Sequence, residues 1–253
     1  GSNVDLRNTP FSIEVWYKSP TIVISQATNI VDNYGTSTSG SANSWSLHIG
    51  GAGEGVNAGK AKFMNQFVTL ISSSRIDNGI WHHISIERYN DESIKMFVDG
   101  YIDTSGTLAL TAEIYSGYNL LIGSRHYNRF HDCNISEIMI SRQNTYYDSF
   151  SPPGSFTANS NTVLHLPINE GSGTTLDDQS SYDNDGTIYG ATWSEDVPVP
   201  GCTDPPATNY SPEANWDDGS CTYPDNGNYS LSFDGVDDYA NVVELSTAID
   251  NSS

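Results

Sequence analysis

Residues 11–17 read Phe-Ser-Ile-Glu-Val-Trp-Tyr, an alternation with a period of two. Successive side chains of an extended strand point to opposite sides of the pleat, so Phe11, Ile13, Val15 and Tyr17 share one face. A helix would scatter the same four around its circumference. The pattern recurs along the chain, while helical periodicity is nearly absent. Residues 45–49, 62–68, 69–72, 81–89, 93–98, 101–103, 119–122 and 136–141 read as further strands. Asp99-Gly100 between two of them is the strongest hairpin signal, because both residues tolerate the positive φ of a two-residue turn. Short strands broken by Gly, Asn and Asp predict an all-β chain, an antiparallel β-sandwich.

Charge is distributed unevenly. The chain has 253 residues and a net charge of −21. All ten basic residues lie between Arg7 and Arg142, against thirteen acids; beyond Arg142 there are eighteen acids and no Lys or Arg. Such a segment repels nucleic acid and anionic membrane and attracts Ca²⁺ or basic partners. Most of these acids read as a solvated surface. No run is apolar enough to insert into a membrane.

Several motifs, in this order, resemble the laminin-G-like family of concanavalin-A sandwiches. They are Phe11-Ser-Ile-Glu-Val-Trp-Tyr-Lys18, Gly79-Ile-Trp-His-His-Ile-Ser-Ile86, Ile94-Lys-Met-Phe-Val-Asp-Gly100, Asn119-Leu-Leu-Ile-Gly-Ser124 and Ile135-Ser-Glu-Ile-Met-Ile140. The resemblance implies a jelly-roll, concanavalin-A-like sandwich, with residues 1–150 as its main body. Three other segments stand out of family order. Pieces like residues 161–173, 184–193 and Leu231-Ser-Phe-Asp-Gly-Val-Asp-Asp-Tyr239 normally precede the Phe-Ser-Ile-Glu-Val-Trp strand; here they follow it.

This order divides the chain into the body, a linker at 151–160 and opening strands at 161–198. A Cys-bounded spacer at 199–225 and a donor-type strand segment at 226–253 follow. The opening strands could fold back on their own body, complete an adjacent copy, or belong to a covalent tandem array. The Pro-Pro linker and the spacer favour the adjacent copy. Leu231, Phe233, Val236, Tyr239 and Val242 would form the assembly strand. Burying them together contributes at most roughly 8–12 kcal/mol.

Residues 201–221 resemble a short Cys-bounded repeat of large bacterial surface and secreted proteins. That resemblance implies a Cys202–Cys221 disulfide, which for a loop of this length stabilises by about 3 kcal/mol. The loop has too few apolar residues for a core of its own, so a covalent clip is needed. Two Cys and no His do not make a zinc site. Cys133 is then either a buried thiol or an intermolecular partner. Sequons at Asn134, Asn209, Asn228 and Asn251 mark candidate N-glycosylation sites of a secreted protein.

Catalytic signatures are missing. No Glu-x-Asp-x-x-Glu run of the sandwich glucanases occurs, and Asp91-Glu92 and Asp177-Asp178 fall in turns. His82 and His83 are adjacent on a strand and cannot grip one ion; one of them is expected to be buried. Calcium is the one cofactor the acids suit, with Asp234, Asp237 and Glu137 as oxygen ligands. The alternative is that Asp234-Gly235 only forms a turn. Tyr115, Tyr118, Tyr127, Tyr146, Tyr147 and Trp216 fall in loops, where aromatic rings stack on sugars. The expected function is an extracellular fibre subunit, assembling head to tail with copies of itself by strand complementation. A self-closed, carbohydrate-binding adhesion module is the alternative, with glycans as partners.

Overall fold

In the computed structural model, residues 5–21, 26–33, 44–112, 119–125, 129–130 and 132–224 are described. The strands follow in chain order as β1 (Phe11–Lys18), β2 (Thr28–Asp32), β3 (Trp45–Ile49), β4 (Lys60–Asn65), β5 (Thr69–Arg75), β6 (Trp81–Arg88), β7 (Ser93–Val98) and β8 (Tyr101–Thr107). They continue with β9 (Leu121–Ile122), β10 (Ser124–Arg125), β11 (Arg129–Phe130), β12 (Asn134–Ser141) and β13 (Thr162–Leu166). Four two-residue strands come last: β14 (Thr175–Leu176), β15 (Gly186–Thr187), β16 (Pro200–Gly201) and β17 (Trp216–Asp217). One sheet has the order β13-β12-β1-β6-β7-β8 and the other β5-β4-β3-β2-β9, with every pairing in both antiparallel. The protein is an all-β antiparallel sandwich.

The period-two pattern explains how the sheets meet. Phe11, Ile13, Val15 and Tyr17 of β1 and Ile84 and Ile86 of β6 face Trp45, Leu47, Ile49 and Phe63 in one buried core. The Phe11 and Phe63 rings, 6.4 Å apart, join the layers directly. Arg88 sits at one end of this core with none of its surface exposed. Its guanidinium lies 4.8 Å from the Phe11 ring and donates to the carbonyls of Leu6, Thr9 and Ala109. The chain entering β1 is thereby tied to β6. Burial lowers the Arg88 pKa to about 10, so it is still charged at neutral pH.

Strand β13 forms one edge of the six-stranded sheet. It pairs antiparallel with β12 of its own chain, Ile138 opposite Leu166 and Ser141 opposite Thr162. This opening strand is seated on the body of its own chain. The proposed assembly strand, with Leu231, Phe233, Val236, Tyr239 and Val242, lies outside the described residues.

Asp99 and Gly100 close the β7–β8 hairpin, with φ of 52° and 79°. A Cβ on Gly100 would lie 1.9 Å from the Phe150 carbonyl oxygen, whose neighbour Phe150 N donates back to Gly100 O at 2.9 Å. Gly100→Ala is therefore expected to destabilise by about 2 kcal/mol or more, from positive φ and steric overlap together. Urea unfolding of the variant beside the parent checks it.

Candidate functional site

Alternation along β1 and β6 also sets the opposite, outer face of the six-stranded sheet. Ser12, Glu14 and Trp16 stand there beside Glu87, Ser85 and His83, their cross-strand partners. All six are fully buried. A strand face turned away from the core would ordinarily meet water; here residues 143–156 cover it. Thr145 N donates to Glu87 Oε2 at 2.7 Å, and Thr145 Oγ1 lies 3.3 Å from Glu14 Oε1. Ser85 Oγ donates to the other Glu87 oxygen at 2.6 Å. The Tyr146 and Phe150 rings stack face to face, 3.4 Å between centroids, and both meet the His83 ring edge-on.

Electrostatics follow from this cover. Burial, then the neighbouring Glu14 charge, push the Glu87 carboxyl well above the usual range. His83 Nε2 is 3.6 Å from Glu14 Oε2, beyond hydrogen-bond reach. Two carboxyl groups and an imidazole thus share one face, a set capable of acid–base work. A reactant would have to displace Tyr146 and Phe150 to meet them. Both histidines are buried, where one was expected: His82 is held by Asp99 Oδ2 at 2.7 Å and Asn78 Oδ1 at 2.9 Å.

Towards β12 the outer face is aromatic. Trp16, Trp81, Met139, Phe156 and Trp216 form a second buried cluster. Trp16 Nε1 donates to Pro153 O at 3.1 Å, and Phe156 N to Glu137 Oε1 at 3.0 Å. Residues 151–156 thus run along the sheet. Asp196 accepts from Lys18 Nζ (2.7 Å), Trp81 Nε1 (3.1 Å) and Asn134 Nδ2 (3.2 Å), fastening the chain before the Cys loop.

The sequence candidates fall as follows. Cys202 and Cys221 form a disulfide, Cα atoms 4.7 Å apart. Trp216, read as a surface ring, is 7% exposed and packs against Trp16. Tyr146 is half-buried, and Tyr147 is 63% exposed. Tyr115, Tyr118 and Tyr127 lie outside the described residues. Of the calcium set, Asp234 and Asp237 also lie outside them; Glu137 is buried and its Oε1 also accepts from His165 Nε2 at 2.7 Å. Among the described residues no group of three His, Cys, Asp or Glu could hold a metal ion. Of the sequons, Asn228 and Asn251 are outside the described residues. Asn134 Nδ2 is engaged by Asp196, and Asn209 Nδ2 donates to Ser220 O at 2.7 Å. Cys133 is a half-buried free thiol, which burial and the Asp132 charge push up to about 12. Sequence reasoning passed over Glu14 and Glu87, because alternation marks them only as turned from the core.

With the geometry in place, comparison with known proteins is direct. A family profile described as the concanavalin A-like lectin/glucanases superfamily matches residues 2–145. The chain belongs to that superfamily. A solved structure titled a putative carbohydrate binding protein from Bacteroides ovatus ATCC 8483 has the same fold. Its TM-score is 0.53 at 14% identity, over 71% of this chain and 51% of that one. The Ruminococcus gnavus IT-sialidase CBM40 bound to α2,3 sialyllactose aligns at TM-score 0.42 and 11% identity, over 56% of this chain and 80% of that one. A stretch of 42 residues is 60% identical to ribulose bisphosphate carboxylase/oxygenase activase 1, chloroplastic, of Larrea tridentata. It covers 15% of this chain and 9% of that protein. The chain thus spans about half of the first solved structure and under a tenth of the curated relative. Among the described residues, no helix is long and apolar enough to cross a membrane.

The superfamily member's Glu87 gives a pH signature. Its folded pKa stands above the unfolded value of about 4.3. The stabilisation of the neutral form is complete below that pH and fades as pH rises through the folded pKa. The contribution of Glu87 to stability is expected to fall as pH rises above about 4.3; Glu87→Gln, which cannot ionise, should remove that component. Urea midpoints of both proteins across the pH range check it.

Proposed function

We propose that this chain is a non-catalytic, glycan-binding module of an exported surface protein. The observation that carries this reading is the covered outer face. Glu14, Glu87 and His83 have the chemistry for catalysis but lie fully buried beneath residues 143–156. Recognition then falls to exposed rings. Tyr147 packs against the Tyr89 ring at 5.2 Å and accepts from Lys95 Nζ at its carbonyl, 2.7 Å away. Its hydroxyl reaches Asn144 Oδ1 at 3.4 Å. An open aromatic face beside an ammonium and an amide suits a sugar ring, which stacks through its apolar side and hydrogen-bonds at its rim. The shared fold with a protein titled carbohydrate binding supports the class of ligand. The Cys202–Cys221 disulfide supports an oxidising, extracellular setting.

A glycan array followed by calorimetry tests it. The parent should bind at least one glycan and hydrolyse none of those it binds. Tyr147→Ala should weaken binding by about tenfold without moving the urea midpoint. Binding unchanged in that variant would remove Tyr147 from the site; hydrolysis of a bound glycan would end the non-catalytic reading.

Strand order favours a second, compatible reading. Strand β13 follows the body in sequence yet fills the β12 edge, and the segment with Leu231, Phe233, Val236, Tyr239 and Val242 comes only after the Cys loop. We read residues 226–253 as the strand that completes an adjacent copy, joining copies head to tail in a fibre. Light scattering should find concentration-dependent oligomers for the full chain. A chain ending at residue 225 should be monomeric and capture a 226–253 peptide. A full chain monomeric at every concentration would overturn this.

A further inference from the structure

The Cys loop touches the sandwich through one large side chain. Trp216 meets Trp16 edge to face, ring centroids 4.9 Å apart, and completes the buried cluster with Trp81, Met139 and Phe156. Polar support is slight: Ser151 Oγ donates to Asp218 O at 2.9 Å. Trp216 is in turn presented by a two-residue parallel pairing, Pro200 beside Trp216 and Gly201 beside Asp217. Asn215 N to Val199 O (3.1 Å) and Asp218 N to Gly201 O (3.4 Å) extend it. The Cys202–Cys221 bond, closing 19 positions of chain, lies just beyond that pairing. Apart from Trp216, the loop buries only Cys202 and Ala207 among its apolar residues.

We propose that forming the Cys202–Cys221 bond is the step that docks Trp216 into the Trp16–Trp81–Met139–Phe156 socket and so seals this end of the outer face. The two thiols give up two protons and two electrons to an oxidised disulfide partner, which leaves as a dithiol while the new S–S bond forms. A small dithiol reductant runs the exchange backwards. Closing a loop of this length is worth on the order of a hundredfold in the docking equilibrium. Burying one tryptophan is worth roughly the same. The pairing behind Trp216 is two residues long, reinforced by the Asn215 side chain, which accepts from Val199 N and donates to Val197 O. The main core does not include the loop, so the sandwich itself should survive undocking.

The test compares the oxidised full chain, the same chain treated with dithiothreitol, and a Cys202→Ser, Cys221→Ser double variant. Free thiols are confirmed by alkylation and mass. The Trp16–Trp216 contact, 4.9 Å between centroids, is expected to give an exciton band in circular dichroism, and cleavage within residues 199–221 is followed by limited proteolysis. The reduced chain and the double variant are expected to lose the band and to be cut at least about tenfold faster. Reoxidation of the reduced chain should restore both. Oxidised Trp216→Ala should lose the band and the protection although its disulfide is intact. Band and protection persisting in the reduced chain would overturn the proposal. So would full protection of oxidised Trp216→Ala, since the covalent bond alone would then account for it.

Discussion

Strands β1 and β6 are covered on both faces, and the rest of the structure accommodates that fact. Their inner face meets the five-stranded sheet through Phe11, Ile13, Val15, Ile84 and Ile86. Their outer face carries Ser12, Glu14, His83, Ser85 and Glu87, which water would ordinarily solvate. Covering such a face is costly unless the polar groups find partners. Residues 143–156 supply some of them: Thr145 N for Glu87, the Thr145 hydroxyl for Glu14, and ring edges around His83. The rest of that cost shows at Glu87, whose carboxyl is pushed well above the usual range by burial and by the Glu14 charge.

The same double cover separates fold from chemistry. A broad sheet face can house either a reaction or a packing contact. In this chain the position is taken by stacked Tyr146 and Phe150 and, nearer β12, by a tryptophan from the Cys loop. Proteins of one architecture can therefore differ in function through what lies on the outer face alone.

Much of the architecture was legible because burial on one side leaves a period-two trace. Strands β1, β6, β7 and β12 announce themselves that way, and Asp99-Gly100 marks its hairpin by the φ values only certain residues accept. Strand β2, Thr-Asn-Ile-Val-Asp, left no such trace, since a bulge between Asn29 and Val31 breaks its alternation. The site was harder to read. Glu14 and Glu87 look like solvent-facing positions unless the cover is known, and the cover is an irregular segment without periodicity. Trp216 fails for a related reason. A tryptophan in a polar loop has the same local sequence whether it faces water or a socket built by residues far away in the chain.

Strand β13 occupies the β12 edge but is joined to it through the segment that also covers the outer face. During synthesis Ser141 leaves the ribosome before Thr162–Leu166 does. For that interval the backbone of Ile138–Ser141 lacks its neighbour, and an unpaired edge is open to any extended chain nearby. Cover and closing strand then arrive together, in one continuous stretch. Vectorial emergence thus makes one stretch of chain both the cover of the outer face and the partner of the β12 edge, and leaves β13 as the outermost strand on that side.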